Sequence, residues 1–507
     1  MTEQGSPASE IAAGYASEGA ALELGAVVID GQADASAAVR LPLATLNRHG
    51  LVAGATGTGK TKTLQLVAEQ LSAAGVPVVL ADVKGDLSGL AAAGGANDKV
   101  GKRSQEVGDD WAGTAFPVQF LSLGTGGKGS PIRATITSFG PVLLSKVLGL
   151  NETQESTLGL IFHWADQRGL ALLDTKDLRS VITHLTGDEG KADLKGIGGV
   201  SAATAGVILR SLSNLEAQGG EDFFGEPELD VHDLMRARDG KGVVTLLELD
   251  NLQSKPALFS TFLMWLLAEL FEELPEEGDL DKPKLVFFFD EAHLLFNDAS
   301  KAFLERIEQT VKLIRSKGVG VFFCTQLPTD IPNNVLSQLG ARIQHALRAF
   351  TPDDQAALAK TVKTYPKTKF YELDTALTSL GIGEAIVTVL SERGAPTPVA
   401  WTRLRAPRSK MGSIGADAIA AVVASSDLHA KYAETIDRES AYEKLAAKVA
   451  PAPDAPAAPA PEQQKEKDEP GLIESAMKNP AVKSFMRSAA SALGREITRG
   501  LFGNRRR

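Results

Sequence analysis

The sequence predicts an α/β fold in which a mostly parallel sheet carries helices on both faces. Apolar runs of five to eight residues recur along the chain, and most are continuous, without the alternation of a half-exposed strand. Helical patterns stand between several of these runs, and alternation of strand and helix is typical of a layered α/β sheet. The predicted strands lie at 50–54, 76–82, 116–123, 242–249, 284–290, 319–325, 341–347 and 384–390.

Composition indicates an ordinary globular protein of 507 residues, 43% of them hydrophobic and 23% charged. The length exceeds one compact core of usual size, so we expect one large domain with insertions or two to three units. The net charge of −10 argues against a protein that simply coats DNA, because a chain-wide basic footprint is absent. It argues little against a ring motor, whose DNA contacts can be a small basic minority.

The patterns along the chain predict further segments around the α/β core. Residues 1–20 have no core pattern and are predicted to be mobile. The other segments are a short β segment over 21–48, the core over 49–410 with a helical insertion over about 137–240, a helical extension over 411–450, a Pro/Ala-rich charged linker over 451–470, and a basic amphipathic helix over 471–507.

The predicted helix over 471–507 is basic although the whole chain is acidic. It has eight Lys/Arg and two Asp/Glu. Its apolar residues fall four apart, as a helical stripe requires: Phe485, Ala489, Leu493, Ile497 and Leu501. Docking on its own or a neighbouring subunit, contact with DNA phosphates, and contact with an anionic membrane all remain open.

The sequence favours a cytoplasmic location without an integral membrane segment. The longest apolar run, 257–270, is shorter than the roughly 20 residues needed to span a bilayer, and predicts a buried helix. The first 20 residues lack the basic start and apolar centre of a signal peptide. The single cysteine, Cys324, cannot form an internal disulfide and, inside an apolar run, is predicted to be a core residue.

The stretch GATGTGKT, residues 54–61, has the spacing of a phosphate-binding loop, with a predicted strand before it and a helix after it. Its glycines let the backbone turn inward, so that N–H groups and the helix start face an anion. Lys60 is expected to bridge the β- and γ-phosphates, and Thr61 to ligate Mg²⁺. The predicted nucleotide-binding residues are Gly54, Ala55, Thr56, Gly57, Thr58, Gly59, Lys60, Thr61 and Lys62.

The stretch KLVFFFDEAH supplies the carboxylates that such a loop needs. Asp290 follows the predicted strand and is expected to hold Mg²⁺ through its water shell, while Glu291 orients or deprotonates the attacking water. An adjacent glutamate, together with the lack of an [NT]-K-x-D guanine signal, favours ATP over GTP. Gln326 ends the next predicted strand and is expected to bond the γ-phosphate or the water. His293 is assigned a supporting or capping place.

These elements together resemble the HerA/FtsK branch of RecA-like ATPases, and most closely the bacterial HerA-like helicase-domain proteins. The similar segments are GATGTGKT, LADVKGDLSGL, FFFDEAHLLF, IRSKGVGVFFCTQLPTDIP and ARIQHALRAFTPDDQ. The resemblance implies a RecA-like P-loop NTPase core with a mostly parallel sheet, a helical insertion and a small N-terminal β segment. It also implies a homohexameric ring that moves along double-stranded DNA, with ATP bound between subunits.

The resemblance further implies an arginine that acts on a neighbouring subunit's phosphate. Arg315 stands eleven residues before Gln326, where FtsK-like motors carry this arginine, and a surface arginine is the alternative. Arg342 and Arg348 are weaker choices. The aspartates of DVKGD, Asp82 and Asp86, resemble the family's acidic motif and are expected near the nucleotide or the subunit interface, with a plain polar loop as the alternative.

The leading functional hypothesis is an ATP-hydrolysing DNA translocase or helicase-like motor. Two departures from the family bear on it: only about 45 residues precede the core, and no DNA-reading winged domain is apparent. ATP as substrate follows from the residues, whereas DNA follows from the resemblance. The alternatives are an ATPase that moves protein or couples to secretion, and a nucleotide-dependent scaffold. A nuclease or another protein remains open as a further partner.

Overall fold

The computed structural model describes residues 6–82, 84–194, 198–217, 219–248, 256–278, 280–296 and 301–449. The linker expected over 451–470 and the basic helix expected over 471–507 lie outside the described residues.

Twelve of the strands in the described part of the chain join in one sheet, in the order β2-β1-β14-β13-β12-β3-β11-β10-β4-β9-β5-β6, and β7 pairs with β8 separately. The strands are β1 (Ala21–Ile29), β2 (Gln32–Pro42), β3 (Gly50–Ala53), β4 (Val78–Asp82), β5 (Val118–Leu123), β6 (Ser130–Ile132), β7 (Ala237–Arg238), β8 (Lys241–Gly242), β9 (Val244–Glu248), β10 (Leu285–Phe289), β11 (Val319–Thr325), β12 (Ala341–Gln344), β13 (Glu384–Thr388) and β14 (Ala400–Leu404).

The helices pack on both faces of this sheet. They are α1 (Pro7–Ala13), α2 (Lys60–Ala73), α3 (Asp98–Val107), α4 (Ile136–Val147), α5 (Glu152–Gln167), α6 (Thr175–Thr186), α7 (Asp188–Asp193), α8 (Ala202–Ala217), α9 (Pro256–Glu273), α10 (His293–Phe296), α11 (Lys301–Ile314), α12 (Asn333–Leu336), α13 (Pro352–Val362), α14 (Leu373–Ser379), α15 (Ala416–Ala424), α16 (Asp427–Tyr432) and α17 (Ala441–Val449).

The predicted α/β class and mostly parallel sheet are confirmed. The run of strands from β12 to β6 is parallel, and β13, β14, β1 and β2 extend it in antiparallel fashion. Each of the eight apolar runs contains a strand. Thr325 at the end of β11 lies opposite Ala53 at the end of β3. The carboxyl ends of the central strands therefore meet at one edge of the sheet, where ligands of such sheets bind.

The central strands are apolar without a break because both of their faces are buried. Along β10, Leu285, Phe287 and Phe289 pack in one hydrophobic cluster, with α4–α6, α8, α9 and α11. Val286 and Phe288 point to the other face and pack in a second cluster with α2 and the N-terminal strands. Successive side chains of a strand alternate between faces, so a continuous run of phenylalanines serves two cores.

The helical insertion begins its helices where polar capping residues stand. Asn151 is the N-cap of α5, and Asp174 is the N-cap of α6. The side chain of each accepts a hydrogen bond from the backbone N–H of the third helical residue, whose own side chain accepts one from the backbone N–H of the N-cap. Such reciprocal caps satisfy N–H groups that a helix start leaves without partners. Polar residues in the sequence therefore fix where α5 and α6 begin.

The N-terminal segment differs from the prediction of mobility. Residues 7–13 form α1, with Ser6 as its N-cap, and Ile11 and Tyr15 are buried. The Tyr15 hydroxyl lies 2.8 Å from the Val387 carbonyl oxygen and 2.6 Å from that of Pro398. A segment rich in Gly, Ala and Ser is thus held by a few apolar contacts and one buried hydroxyl, which composition alone does not reveal.

We expect Tyr15→Phe to lower the free energy of unfolding by about 1 kcal/mol, since a buried hydrogen bond contributes that much. Urea unfolding of both proteins at pH 7 measures the difference. Tyr442→Phe is the matched control, because Tyr442 is 49% exposed. An equal effect of the two substitutions would contradict the anchoring role of Tyr15.

Among the described helices, none combines the length and the apolar character needed to cross a bilayer. The apolar helix α9 is instead packed inside the protein, with Phe262, Trp265 and Leu266 fully buried.

Candidate active site

The loop over residues 54–59 connects β3 to α2 and is shaped by glycine. Gly54, Gly57 and Gly59 all have positive φ, at 150°, 81° and 117°. A Cβ on Gly54 would lie 2.5 Å from the Cβ of His345, far inside van der Waals contact. The loop can therefore pack against the strand ends only with glycine at position 54. Thr56 and Gly57, further along the loop, are exposed to solvent.

Three other elements hold this loop in place. The Gly54 N–H donates to the Gln326 carbonyl oxygen at 3.1 Å, and the Ala55 N–H donates to that of Ala346 at 2.9 Å. On the far side, the Gly383 N–H donates to the Thr58 carbonyl oxygen at 3.2 Å. The loop conformation is thus fixed by its neighbours, which lowers the cost of ordering it around an anion.

Lys60, the first residue of α2, points its ammonium group into the loop. Its Nζ donates to the Gly54 carbonyl oxygen at 2.6 Å and approaches that of Ala55 at 3.3 Å. Thr61 follows in the first turn, half-buried, where helix N–H groups have no intrahelical partner. Lys62 donates to Gln65 Oε1 at 3.1 Å. Burial lowers the pKa of Lys62, although the negative charges of Asp86 and Asp82 act to raise it.

His345, which the sequence reasoning missed, lies directly beneath the loop. Its Nε2 is 2.8 Å from Thr63 Oγ1. Burial, with repulsion from Lys60, lowers the pKa of His345 to about 4, so the ring is neutral at pH 7. Its place in the chain is a signal for this role, because His345 directly follows β12, and β12 pairs with β3, the strand that leads into the loop.

Asp290 stands at the end of β10 with its carboxylate buried. Burial and the adjacent charge of Glu291 raise the pKa of Asp290 to about 6. Hydrogen bonds from Cys324 and from the Glu291 N–H, which is 2.9 Å from Asp290 Oδ1, lower the pKa but do not offset this rise. Cys324 is a buried core residue, as predicted. A buried carboxylate beside a second one is stabilised by a cation, and the oxygens of Asp290 and Thr61 are the ligand type that Mg²⁺ prefers. The donor set therefore fits Mg²⁺.

Glu291 has a strained backbone, with φ of 49° in the left-handed region. Residues without a Cβ adopt this region readily, but glutamate does so at a cost of about 1–3 kcal/mol, and such strain clusters at active sites. Its Oε1 accepts a hydrogen bond from Lys84 Nζ at 3.0 Å. Its Oε2 lies 3.5 Å from His293 Nδ1, an electrostatic contact longer than a hydrogen bond.

Asp82, the last residue of β4, organises the turn over residues 84–87. The Asp82 carboxylate is buried and accepts hydrogen bonds from the backbone N–H groups of Lys84, Gly85 and Leu87 at 3.2, 2.7 and 2.9 Å. Asp82 thus shapes the loop, and Asp86 acts on Lys62 only through its charge. The sequence reasoning singled out both aspartates and missed Lys84, the residue between them that reaches Glu291.

Gln326 follows β11, between β3 and β10, and its side chain is exposed. Its backbone oxygen holds Gly54, as described above. Arg348 is also exposed, and its Nη2 donates to the Thr56 carbonyl oxygen at 3.3 Å, so it lies at its own chain's loop. Arg342 instead donates to the carbonyl oxygens of Thr364 and Leu336, which ties β12 to its surroundings.

Arg315 lies at the opposite end of the sheet from the loop. It begins a short 3₁₀ turn just before β11 and is exposed. Strand β11 lies between Arg315 and Gln326, and its seven residues span roughly 20 Å. Within one chain, the structure therefore does not bring Arg315 to the phosphate loop.

His49 lies near Arg315 and is neutral. Its Nδ1 accepts a hydrogen bond from the Val321 N–H at 3.1 Å, which fixes the proton on Nε2, 2.7 Å from the Val311 carbonyl oxygen. Burial lowers the pKa of His49 to about 4, and Arg315 adds to the shift. Protonation would break the bond from Val321.

We expect acid to destabilise the protein through His49. The unfolded chain takes up a proton on His49 near pH 6.5, and the folded chain does so near pH 4. The stability that neutral His49 gives the folded protein is therefore fully present above pH 6.5 and is lost as the pH falls towards 4. Each unit corresponds to about 1.4 kcal/mol, or about 2 kcal/mol between pH 6.5 and 5. Urea unfolding across this range should give a shallower pH slope for His49→Asn than for the wild type. Equal slopes would contradict this assignment.

Comparison with known proteins gives a fold and a family. The plasmid coupling protein TrwB in complex with the non-hydrolysable ATP analogue ADPNP has a TM-score of 0.51 and 15% identity, covering 78% of this chain and 99% of that one. The same protein with ADP and Mg²⁺ has a TM-score of 0.50 and 15% identity, covering 80% and 95%. VirB4 of Thermoanaerobacter pseudethanolicus has a TM-score of 0.49 and 14% identity, covering 77% and 97%. A comparison with curated protein sequences gives no match.

The sequence itself matches the family described as helicase HerA-like C-terminal over residues 28–507. This range includes the phosphate loop, the Asp290–Glu291 pair and the whole sheet from β2 onward. The resemblance to HerA-type P-loop ATPases is thereby confirmed, and the chain belongs to the HerA-like helicase C-terminal family.

Proposed function

We propose that this protein is an ATP-hydrolysing ring motor that moves along double-stranded DNA. The observation that carries the proposal is the meeting of a phosphate loop with the Asp290–Glu291 pair at one edge of a parallel sheet. A carboxylate that only holds a metal needs no second carboxylate beside it. The strained Glu291 therefore favours hydrolysis over nucleotide sensing, and argues against a purely structural scaffold.

The residues of the loop have distinct tasks in hydrolysis. The N–H groups of Thr56, Gly57 and Gly59 and the start of α2 bind the phosphates of ATP, and Lys60 exchanges its bonds to the loop carbonyls for the β- and γ-phosphates. Thr61 and Asp290 would hold Mg²⁺, which when bound neutralises charge on the phosphate oxygens. Lys62 adds positive charge at the same helix start.

Water attack on the γ-phosphate depends on Glu291 and Gln326. The Glu291 carboxylate takes the proton from the attacking water, and the Gln326 amide orients that water or the γ-phosphate. Both residues follow adjacent parallel strands, β10 and β11, so their side chains begin at the same edge of the sheet.

The position of Arg315 supports an oligomer. An exposed arginine at the sheet edge remote from its own loop can complete the active site of a second copy, where its guanidinium would stabilise charge on the transferring phosphoryl group. Repetition of this head-to-tail contact generates a closed ring when the rotation closes. We infer a homohexamer, with ATP at each interface.

DNA as the substrate is supported by the family description, which names a helicase. The acidic chain implies that its DNA contacts are confined to a small basic part of the ring. A cytoplasmic location and a nuclease or other protein partner complete the proposal.

ATP hydrolysis by the purified protein, without DNA, with single-stranded DNA and with duplex DNA, tests the proposal. Low salt is used because phosphate contacts are strongest there. Stimulation by duplex DNA is the expected result. Turnover that is the same in all three conditions would remove DNA from the proposal and leave the ATPase.

The basic amphipathic pattern of residues 471–507 favours a second candidate, an ATPase that moves protein or couples to secretion at a membrane. Deleting 471–507 would then abolish binding to anionic vesicles while ATP turnover persists. Full-length protein that does not bind such vesicles would exclude this candidate.

A further inference from the structure

A lysine binds the exposed oxygen of the Glu291 carboxylate. Lys84 Nζ donates to Oε1 at 3.0 Å. Oε2 is buried and has no hydrogen-bond donor among the described residues. The side chain as a whole is only 15% exposed. A general base must accept a hydrogen bond from the water it activates. Because Oε2 is buried, Oε1 is the oxygen that can meet this water, and Lys84 competes with the water for it.

We propose that Lys84 is a latch that keeps Glu291 out of catalysis until the Lys84–Glu291 ion pair opens. This inference rests on the proposed role of Glu291 as the base for ATP hydrolysis. Lys84 is a positioning residue in this scheme, since it acts only through Glu291. Opening the pair frees Oε1, and the carboxylate can then turn towards the attacking water.

The structure holds the lysine backbone firmly and leaves the side chain able to move. Asp82 fixes the turn through three backbone N–H groups, as described above, and the Lys84 side chain is 46% exposed. The ammonium group can therefore swing into solvent without any change of the backbone. The pair opens by rotation of one flexible side chain, which is fast compared with a loop movement.

The turn that carries Lys84 is also connected to a distant segment of the chain. The Ile414 N–H donates to Ser88 Oγ at 3.2 Å, and a Cβ on Gly89 would lie 1.9 Å from the Lys410 carbonyl oxygen. Residues 410–414 thus pack against Ser88 and Gly89, which directly follow the turn.

Lys84→Met tests the latch, because methionine keeps the length of the side chain and removes the charge. We expect kcat for ATP without DNA to rise about two- to fivefold, the factor by which a half-exposed ion pair shifts an equilibrium. KM, and the Kd for a fluorescent non-hydrolysable ATP analogue, should stay unchanged. Lys84→Arg should restore the low kcat of the wild type. A kcat for Lys84→Met equal to or below that of the wild type would overturn the latch.

Two controls separate the latch from other effects. Lys102→Met removes an exposed lysine whose Nζ is 3.9 Å from Glu106, and it should leave kcat unchanged. Lys84→Met combined with Glu291→Gln should be inactive, and turnover in this double variant would overturn the latch. If the wild type binds the ATP analogue but hydrolyses no ATP with or without DNA, the proposed function and the latch both fail. A change of kcat relative to an active wild type concerns the latch alone.

Discussion

Glu291→Gln should bind ATP with wild-type affinity and lose turnover by about 10²–10⁴-fold, the contribution of a positioned general base. The amide has nearly the same shape as the carboxylate and still accepts a hydrogen bond from Lys84 through its oxygen. It cannot take a proton from water at neutral pH. Single-turnover hydrolysis measures the chemical step, and binding of a fluorescent ATP analogue measures the affinity.

The matched control is Glu305→Gln, an exposed glutamate on α11 whose Oε1 is 3.9 Å from Lys301 Nζ. This substitution makes the same chemical change remote from the phosphate loop and should leave both measurements unchanged. Turnover in Glu291→Gln within threefold of the wild type would show that another group activates the water.

Arg315→Ala should lower turnover about 10³-fold, within the range for an arginine that acts across a subunit interface, while its own loop still binds ATP. The reason is distance: Arg315 and the phosphate loop of the same chain lie at opposite ends of β11. Arg306→Ala, a half-exposed arginine on α11 with Nη2 3.7 Å from Glu272, is the matched control and should retain wild-type turnover.

Mixing two inactive variants tests the trans arrangement directly. Arg315→Ala subunits keep Glu291, and Glu291→Gln subunits keep Arg315. In a mixed ring, some interfaces combine an intact Glu291 with a neighbour's intact Arg315, so ATP turnover should return. If Arg315 acted on its own chain, mixing would restore nothing beyond the sum of the separate rates.

The sheet and the chemistry at its edge could be predicted because both have short-range signals. Buried parallel strands have continuous apolar runs, and a phosphate loop has fixed spacing between its glycines, Lys60 and Thr61. Asp290 and Glu291 follow from their place after such a strand. These patterns depend on neighbours in sequence, so no knowledge of distant contacts was needed.

The missed residues have their meaning in contacts between segments far apart in sequence. His345 matters because it fills the space against Gly54, and Lys84 because it reaches Glu291. Tyr15 escapes a composition argument because its partners, Val387 and Pro398, lie near the other end of the core. A single sequence carries no direct record of such pairings.

The antiparallel extension of the sheet links the order of synthesis to the completion of the active site. Gly25 in β1 pairs with Leu404 in β14, and the Gly383 N–H that supports Thr58 precedes β13. A ribosome-bound chain therefore leaves this edge of β1 unpaired until residue 404 has emerged. During that interval the phosphate loop lacks one of its three supports, so nucleotide should bind firmly only after residue 404 has left the ribosome. Contacts this distant in sequence also make folding slow.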